Sequence, residues 1–245
     1  MKRILLLLSV FAFALAIPAF AQKDTDQAQD NKQSTEQDHG KVADRAQAAA
    51  RVLEEIAGAP DKGIPGSVMS KAKCVLVIPG VKKAGFVVGG RYGRGYATCR
   101  EANGWSAPAP VFLGGGSYGA QIGGEGVDLV LLVMNDNGVQ KLLSSKVEIG
   151  VDASAAAGPI GRSASAGTDI KMNAEILSYS RAKGLFAGVE LNGAKLKQDN
   201  DSTKELYGHD VPFRDLLSGQ TQTPPAAQPF LAEVEKDFAA AGSTK

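Results

Sequence analysis

Between residues 41 and 56 the apolar side chains fall at Val42, Ala46, Ala49, Leu53 and Ile56, steps of four and three that share one face of a helix. The spacing predicts a helix that ends near Gly58-Ala59-Pro60 and docks on a core. Its other face carries Asp44, Glu54 and Glu55 beside Arg45 and Arg51, and its apolar face is largely alanine, which argues against a helix lying on a membrane. Past "DKGIPGSVMSKAK" the pattern shortens. "CVLVIP", "GFVVGGRYG", "GYATCR", "PVFLGG", "SYGAQIGG" and "VDLVLLVMN" are brief apolar or alternating runs set off by Gly, Pro and Asn, and read as strands. "NDNGVQKLLSSK" predicts a turn into a short helix, and "VEIGVDASAAAGPIGRSASAG" predicts strands of small residues. "ILSYSRAKGLFAGVELNG" predicts a hairpin, with Ile176 to Ser180 as one arm, 181–184 as the turn and Leu185 to Leu191 as the other arm. Two short helices follow in "DNDSTKELYG" and "DVPFRDLLSG", the second with Asp210 as its expected cap. After the linker "QTQTPPAAQP", residues Phe230, Val234 and Phe238 recur every four positions and predict a helix that folds back on the domain.

Glycine sharpens this picture. Most of the 29 glycines lie inside the apparent strands, where glycine weakens a sheet unless the backbone must bend or another layer must come close. The fold class expected is therefore α+β, a strongly bent, Gly-rich antiparallel sheet or partial barrel with packed short helices. "GGGSYGAQIGGEG" lacks the Gly-Lys-Ser/Thr ending of a phosphate loop and the strand, glycine turn and helix of a dinucleotide site, so a nucleotide is not expected.

The first residues read as an address. Lys2 and Arg3 precede the apolar run Ile4 to Ile17 and then Ala19-Phe20-Ala21, the pattern of a secretory signal cleaved after Ala21. Residues 22–40 carry almost no apolar side chain and read as a flexible leader. The organisation expected is signal peptide 1–21, leader 22–40, domain 41–219, linker 220–228 and an amphipathic helix 229–241. An exported protein, periplasmic or extracellular and peripherally attached to a membrane, is the localisation this implies. In such a compartment Cys74 and Cys99 can form one disulfide, although two buried free thiols fit their apolar, strand-like surroundings nearly as well.

The chain's 27 basic and 26 acidic side chains nearly balance, so net charge selects no partner, but their distribution does. Between Asp61 and Glu101 there is no acid, while Lys62, Lys71, Lys73, Lys82, Lys83, Arg91, Arg94 and Arg100 are all basic, with Tyr92 and Tyr96 among them. Several cations gathered on one face would bind an anionic bilayer, each worth about 1 kcal/mol. Nucleic acid also suits a basic face with aromatic rings, but an exported chain rarely meets it.

Candidate catalytic motifs lack their supporting elements. Tyr179 and Lys183 have the Tyr-x-x-x-Lys spacing of short-chain dehydrogenases, which requires a helix, whereas Gly184 and "LFAGVEL" point to a hairpin. Ser180 and Lys183 match the Ser-x-x-Lys of penicillin-binding enzymes without the Ser-Asp-Asn and Lys-Thr-Gly elements. His39 and His209 lie far apart in apparent linker and turn. No catalytic residue, metal or cofactor is expected.

Several blocks, in order, resemble the lipid-binding SYLF family, also called the Ysc84 actin-binding domain family. They are "GIPGSVMSKAKCVLVIPGVKKAGFVVGGRYGRGYATCR", "GWSAPAPVFLGGGSYGAQIGGEGVDLVLLVMN", "ILSYSRAKGLFAGVELNG" and "ELYG", and the resemblance runs from about Val42 to Gly219. It implies a compact α+β domain without catalytic activity that binds phospholipids, phosphatidylinositol derivatives in eukaryotic members. With the leader, it identifies the chain as similar to bacterial exported members. Actin binding comes with the family name alone, and an anionic phospholipid of the envelope is the more economical ligand. The expected lipid-binding side chains are Lys71, Lys73, Lys82, Lys83, Arg91, Arg94 and Arg100, joined by Arg181 and Lys183 at the hairpin turn. The alternative is a structural or protein-interaction domain of the envelope, with a protein partner and no direct lipid contact.

Overall fold

The computed structural model describes residues 41–56, 63–85, 88–118, 126–144, 146–161, 173–182 and 185–243. The expected signal and leader segments, His39, Lys183 and Gly184 lie outside the described residues. Helix α1, residues 41–56, forms where the spacing places it, and its five stripe residues are at most 2% exposed. Burying that stripe, not the propensity of so short a helix, holds it in place. The Tyr96 hydroxyl ties it to the sheet by donating to the Val42 carbonyl at 2.7 Å.

A single turn, α2 (Gly66–Met69), leads into strands β1 (Cys74–Gly85), β2 (Val88–Glu101), β3 (Gly104–Trp105), β4 (Ala109–Tyr118) and β5 (Val127–Val133). Helix α3 (Asp136–Leu142) begins at Asn135, whose side chain accepts from the Gly138 N–H. Then come β6 (Lys146–Glu148), β7 (Ala155–Ala157), β8 (Ile176–Ala182), β9 (Leu185–Gly188) and β10 (Ala194–Gln198). Helices α4 (Asn200–Tyr207), α5 (Phe213–Leu217) and α6 (Gln228–Ser243) finish the chain. No helix among the described residues is long and apolar enough to cross a membrane.

The strands form one sheet in the order β6-β10-β4-β2-β1-β5-β8-β7, with β3 beside β2 and β9 beside β8. Alternation along each strand feeds two cores. Leu76, Ile78, Leu113, Leu131, Val147 and Ile176 share the inner one. Because Val147 is on β6 and Ile176 on β8, near opposite ends of the strand order, the sheet curls into a half-barrel around them. Val75, Val77, Tyr96, Val130 and Leu177 face outwards and meet α1 together with Phe230, Val234 and Phe238 of α6. The curl uses glycine where backbones meet: a Cβ on Gly115 would stand 2.8 Å from the Ala194 Cα on β10.

Four expectations change. "GFVVGGRYG" and "GYATCR" are not separate strands, since β2 runs unbroken from Val88 to Glu101 and pairs with β4 from Val88 to Ala97. The sheet is not wholly antiparallel, because β7 runs parallel to β8. Asp210 does not cap α5: Pro212 holds that position with no side-chain bond. Arg181 and Ala182 belong to β8 rather than to the turn, with Arg181 opposite Phe186 and Ala182 opposite Leu185.

Helix α6 buries one carboxylate, Asp237, to 5% exposure, and its Oδ2 has no hydrogen-bond partner among the described residues. Desolvation, then the neighbouring Glu233, push its pKa up to about 7, with Glu54 of α1 adding to the rise and Lys236 opposing it. A carboxyl raised in the folded state favours the protonated form, so stability falls as pH rises from about 4 towards 7 and stays reduced above that. Asp237→Asn should therefore gain about 2 kcal/mol at pH 8 and nothing near pH 4, as read from urea midpoints at the two pH values.

Candidate functional site

Helices α1 and α6 cover the outer face of the sheet only in part. Beyond Val77 the register of β1 slips against both neighbours, with Gly80 at φ +60° in the bulge. The bulged strand bends there. The result is a cleft of about 890 Å³ between α1 and the sheet. Among the described residues five cations face it: Arg45 and Arg51 from α1, Lys82 from β1, Arg94 from β2 and Arg181 from β8. Tyr92 and Phe112 add rings, and Asp44, Glu55 and Asp128 are its acids.

Three of the cations are engaged within the fold. Arg181 donates to Asp128 Oδ2 from Nε at 2.9 Å and from Nη2 at 2.6 Å, and pairs with Glu55 of α1. Burial raises the Asp128 carboxyl, opposed by the Gly80 N–H that donates to it at 2.9 Å, and lowers the Arg181 guanidinium. The pair therefore forms at a cost in desolvation. Arg94 reaches Asp199 at 2.9 Å, the residue whose carboxylate caps α4, and Arg45 donates to Ser202 in the first turn of that helix at 3.1 Å. Arg51 and Lys82 have no ion pair or side-chain hydrogen bond among the described residues and are both exposed.

Of the expected basic residues, the fold thus brings Lys82, Arg94 and Arg181 together. Lys71, Lys73 and Arg100 sit at the other end of β1 and β2, beside the Cys74–Cys99 disulfide that joins directly opposed residues. There Lys73 pairs with Asp136 at 3.2 Å, and Arg100 lies 4.6 Å from the Trp105 ring centroid. Arg91 points to the inner side of the sheet, where it shares a space of about 30 Å³ with Leu129 and Leu191, and burial lowers its guanidinium. Lys83 lies opposite Arg91 on β1, and its side chain is outside the described set. The reading from sequence passed over Arg45 and Arg51. Their signal was their place on the helix, beside the buried stripe and towards the sheet.

The hairpin that offered catalytic spacings is tight packing. Tyr179 is fully buried on β8, burial pushes its phenol up, and a Cβ on Gly158 would collide with its ring. A Cβ on Gly188 would collide in turn with the Gly158 carbonyl, so at this point backbones must pass closely. Ser180 faces the other way, into the space that holds Arg91. Among the described residues no group of three or more His, Cys, Asp and Glu could hold a metal.

The model of the Ysc84 family, described as Las17-binding protein actin regulator, matches residues 114–237. An SH3 domain-containing protein of Schizosaccharomyces pombe is 44% identical over 171 residues, which are 68% of this chain and 40% of that protein. Protein YSC84 of Saccharomyces cerevisiae is 34% identical over 197 residues, 76% of this chain and 42% of its own length. The SH3 domain-containing YSC84-like protein 1 of Homo sapiens is 34% identical over 190 residues, 75% of this chain and 55% of its own. The chain thus spans about two fifths to just over half the length of these curated relatives.

Proposed function

The chain belongs to the Ysc84 family, and from that premise we propose that it is a non-enzymatic module whose outer cleft binds the headgroups of an anionic phospholipid surface. One observation carries the reading: Arg51 and Lys82, both without an ion pair among the described residues, face the same open cleft beside the half-exposed Tyr92. Arg45, Arg94 and Arg181 hold the cleft's shape and add positive potential behind them. In this reading the protein is exported and works at a bacterial envelope. The charged, apolar and small-residue order of its first 21 residues supports that placement, as does the Cys74–Cys99 bridge, since disulfides persist in oxidising compartments.

Co-sedimentation of the full chain with phosphatidylglycerol-containing and purely phosphatidylcholine vesicles across a salt series tests the lipid reading. Binding should require the anionic lipid and weaken steadily with salt. Lys82→Glu should cut affinity about tenfold without lowering the unfolding midpoint. Equal binding to both vesicle types would sink the proposal. A protein partner at the same cleft is the second reading, favoured by the family's description as Las17-binding actin regulators; it would gain if neither vesicle binds.

A further inference from the structure

A second groove lies on the same outer face, on the far side of Phe112. Register sets two rows of side chains across the strands. One runs Lys82, Tyr92, Gly114, Lys195 and Glu148, from β1 to β6. The next runs Arg94, Phe112, Lys197 and Lys146, from β2 to β6. Leu196 and Val147 turn inwards, so Lys195, Lys197 and Lys146 must face out. Phe112 lines both the cleft beside α1 and a groove of about 660 Å³ walled by Lys146, Lys195, Lys197 and Glu148.

Two features of this groove have no use in holding the fold. Lys146 and Lys197 stand directly opposite each other on adjacent strands, an arrangement that costs stability, and Lys146 has no ion pair among the described residues. Glu148 does not relieve them, since it pairs with Lys195 at 3.6 Å. Gly116 has no described atom within 4 Å of where a Cβ would stand, so packing does not demand glycine there and the floor stays bare. The Phe112 ring, meanwhile, lies over Gly114, where a Cβ would come within 2.7 Å of it, and the Lys197 ammonium is 5.2 Å from its centroid.

We propose that this groove is a second phosphate-binding site, and that the two grooves form one footprint which grips a phosphate-bearing membrane surface at two points. The proposal rests on the headgroup reading of the cleft beside α1. Lys82 and Lys146 are four strand steps apart, about 19 Å along the sheet. One phosphate cannot reach both, whereas a surface of headgroups can.

The test uses the full chain, vesicles of phosphatidylglycerol in phosphatidylcholine, and glycerol 3-phosphate as the soluble competitor. Lys146→Glu converts an opposed like-charge pair into an attractive one, so its unfolding midpoint should equal or exceed that of the parent while vesicle affinity falls about tenfold. Lys197→Gln should weaken binding about fivefold. Glycerol 3-phosphate should displace the protein poorly, because it occupies one groove at a time. If Lys146→Glu and Lys197→Gln bind like the parent while Lys82→Glu does not, the second site is overturned and the cleft stands. If the parent itself ignores anionic vesicles, both fail. Efficient displacement by glycerol 3-phosphate would show a reader of single phosphates and overturn the two-point footprint.

Discussion

A Gly95→Ala variant is expected to lose at least about 4 kcal/mol, a large part of the roughly 5–15 kcal/mol that ordinarily holds a folded domain together. Gly95 is on the inner side of β2, where β1 bulges across it. A Cβ there would land on the Val77 carbonyl and stand 2.7 Å from the Ile78 Cα. Neither atom can retreat, because Val77 is paired to Tyr96 on one side and to Val130 on the other, and Ile78 is fully buried. Relief would require undoing the bulge that aims Lys82 and the Gly80 N–H at the cleft. Gly90→Ala is the control. Its Cβ would meet nothing nearer than the Gly115 carbonyl at 3.9 Å, so the change should stay within about 1 kcal/mol. Urea unfolding of the two variants decides the matter, and a Gly95→Ala protein as stable as Gly90→Ala would show that β1 does not cross β2 as described.

The same glycines explain what could be read in advance and what could not. Helices α1 and α6 were legible because a period near 3.6 marks one face whatever lies opposite, and Val42 and Phe230 are both fully buried. The bent sheet was legible from glycines inside apolar runs. Those glycines also misled, since the junction at Gly93-Arg94-Gly95 was read as a break between two strands and instead lies within β2. Read as one strand, Arg91 and Arg94 lie an odd number of residues apart and must face opposite sides, which divides the basic segment in two. Pairing was not legible. Nothing in the local pattern announces that Arg181 will meet Asp128, 53 residues earlier, or that Arg94 will meet the cap of α4. The strand at "AKLKQ" was not anticipated, although its alternation puts Lys195 and Lys197 on one face, and only register against Phe112 and Lys146 shows what that face adjoins.

Arg181→Met is expected to cost about 3 kcal/mol, and that loss separates the frame of the cleft from its contact surface. The guanidinium joins three elements, β8 on which it lies, β5 through Asp128 and α1 through Glu55, and its side chain is only 18% exposed. Removing it leaves the Asp128 carboxylate, 17% exposed, with the Gly80 N–H as its remaining partner among the described residues. Most of the expected loss is that stranded charge rather than the worth of the pair, so adding Asp128→Asn to Arg181→Met should restore about half of it. Vesicle binding then discriminates. If Arg181 shapes the cleft, the double variant should recover affinity as it recovers stability. Lys82→Glu, by contrast, should remain as stable as the parent and bind poorly. A double variant that is stable yet still fails to bind would place Arg181 on the headgroup itself, and the hairpin would then belong to the contact surface after all.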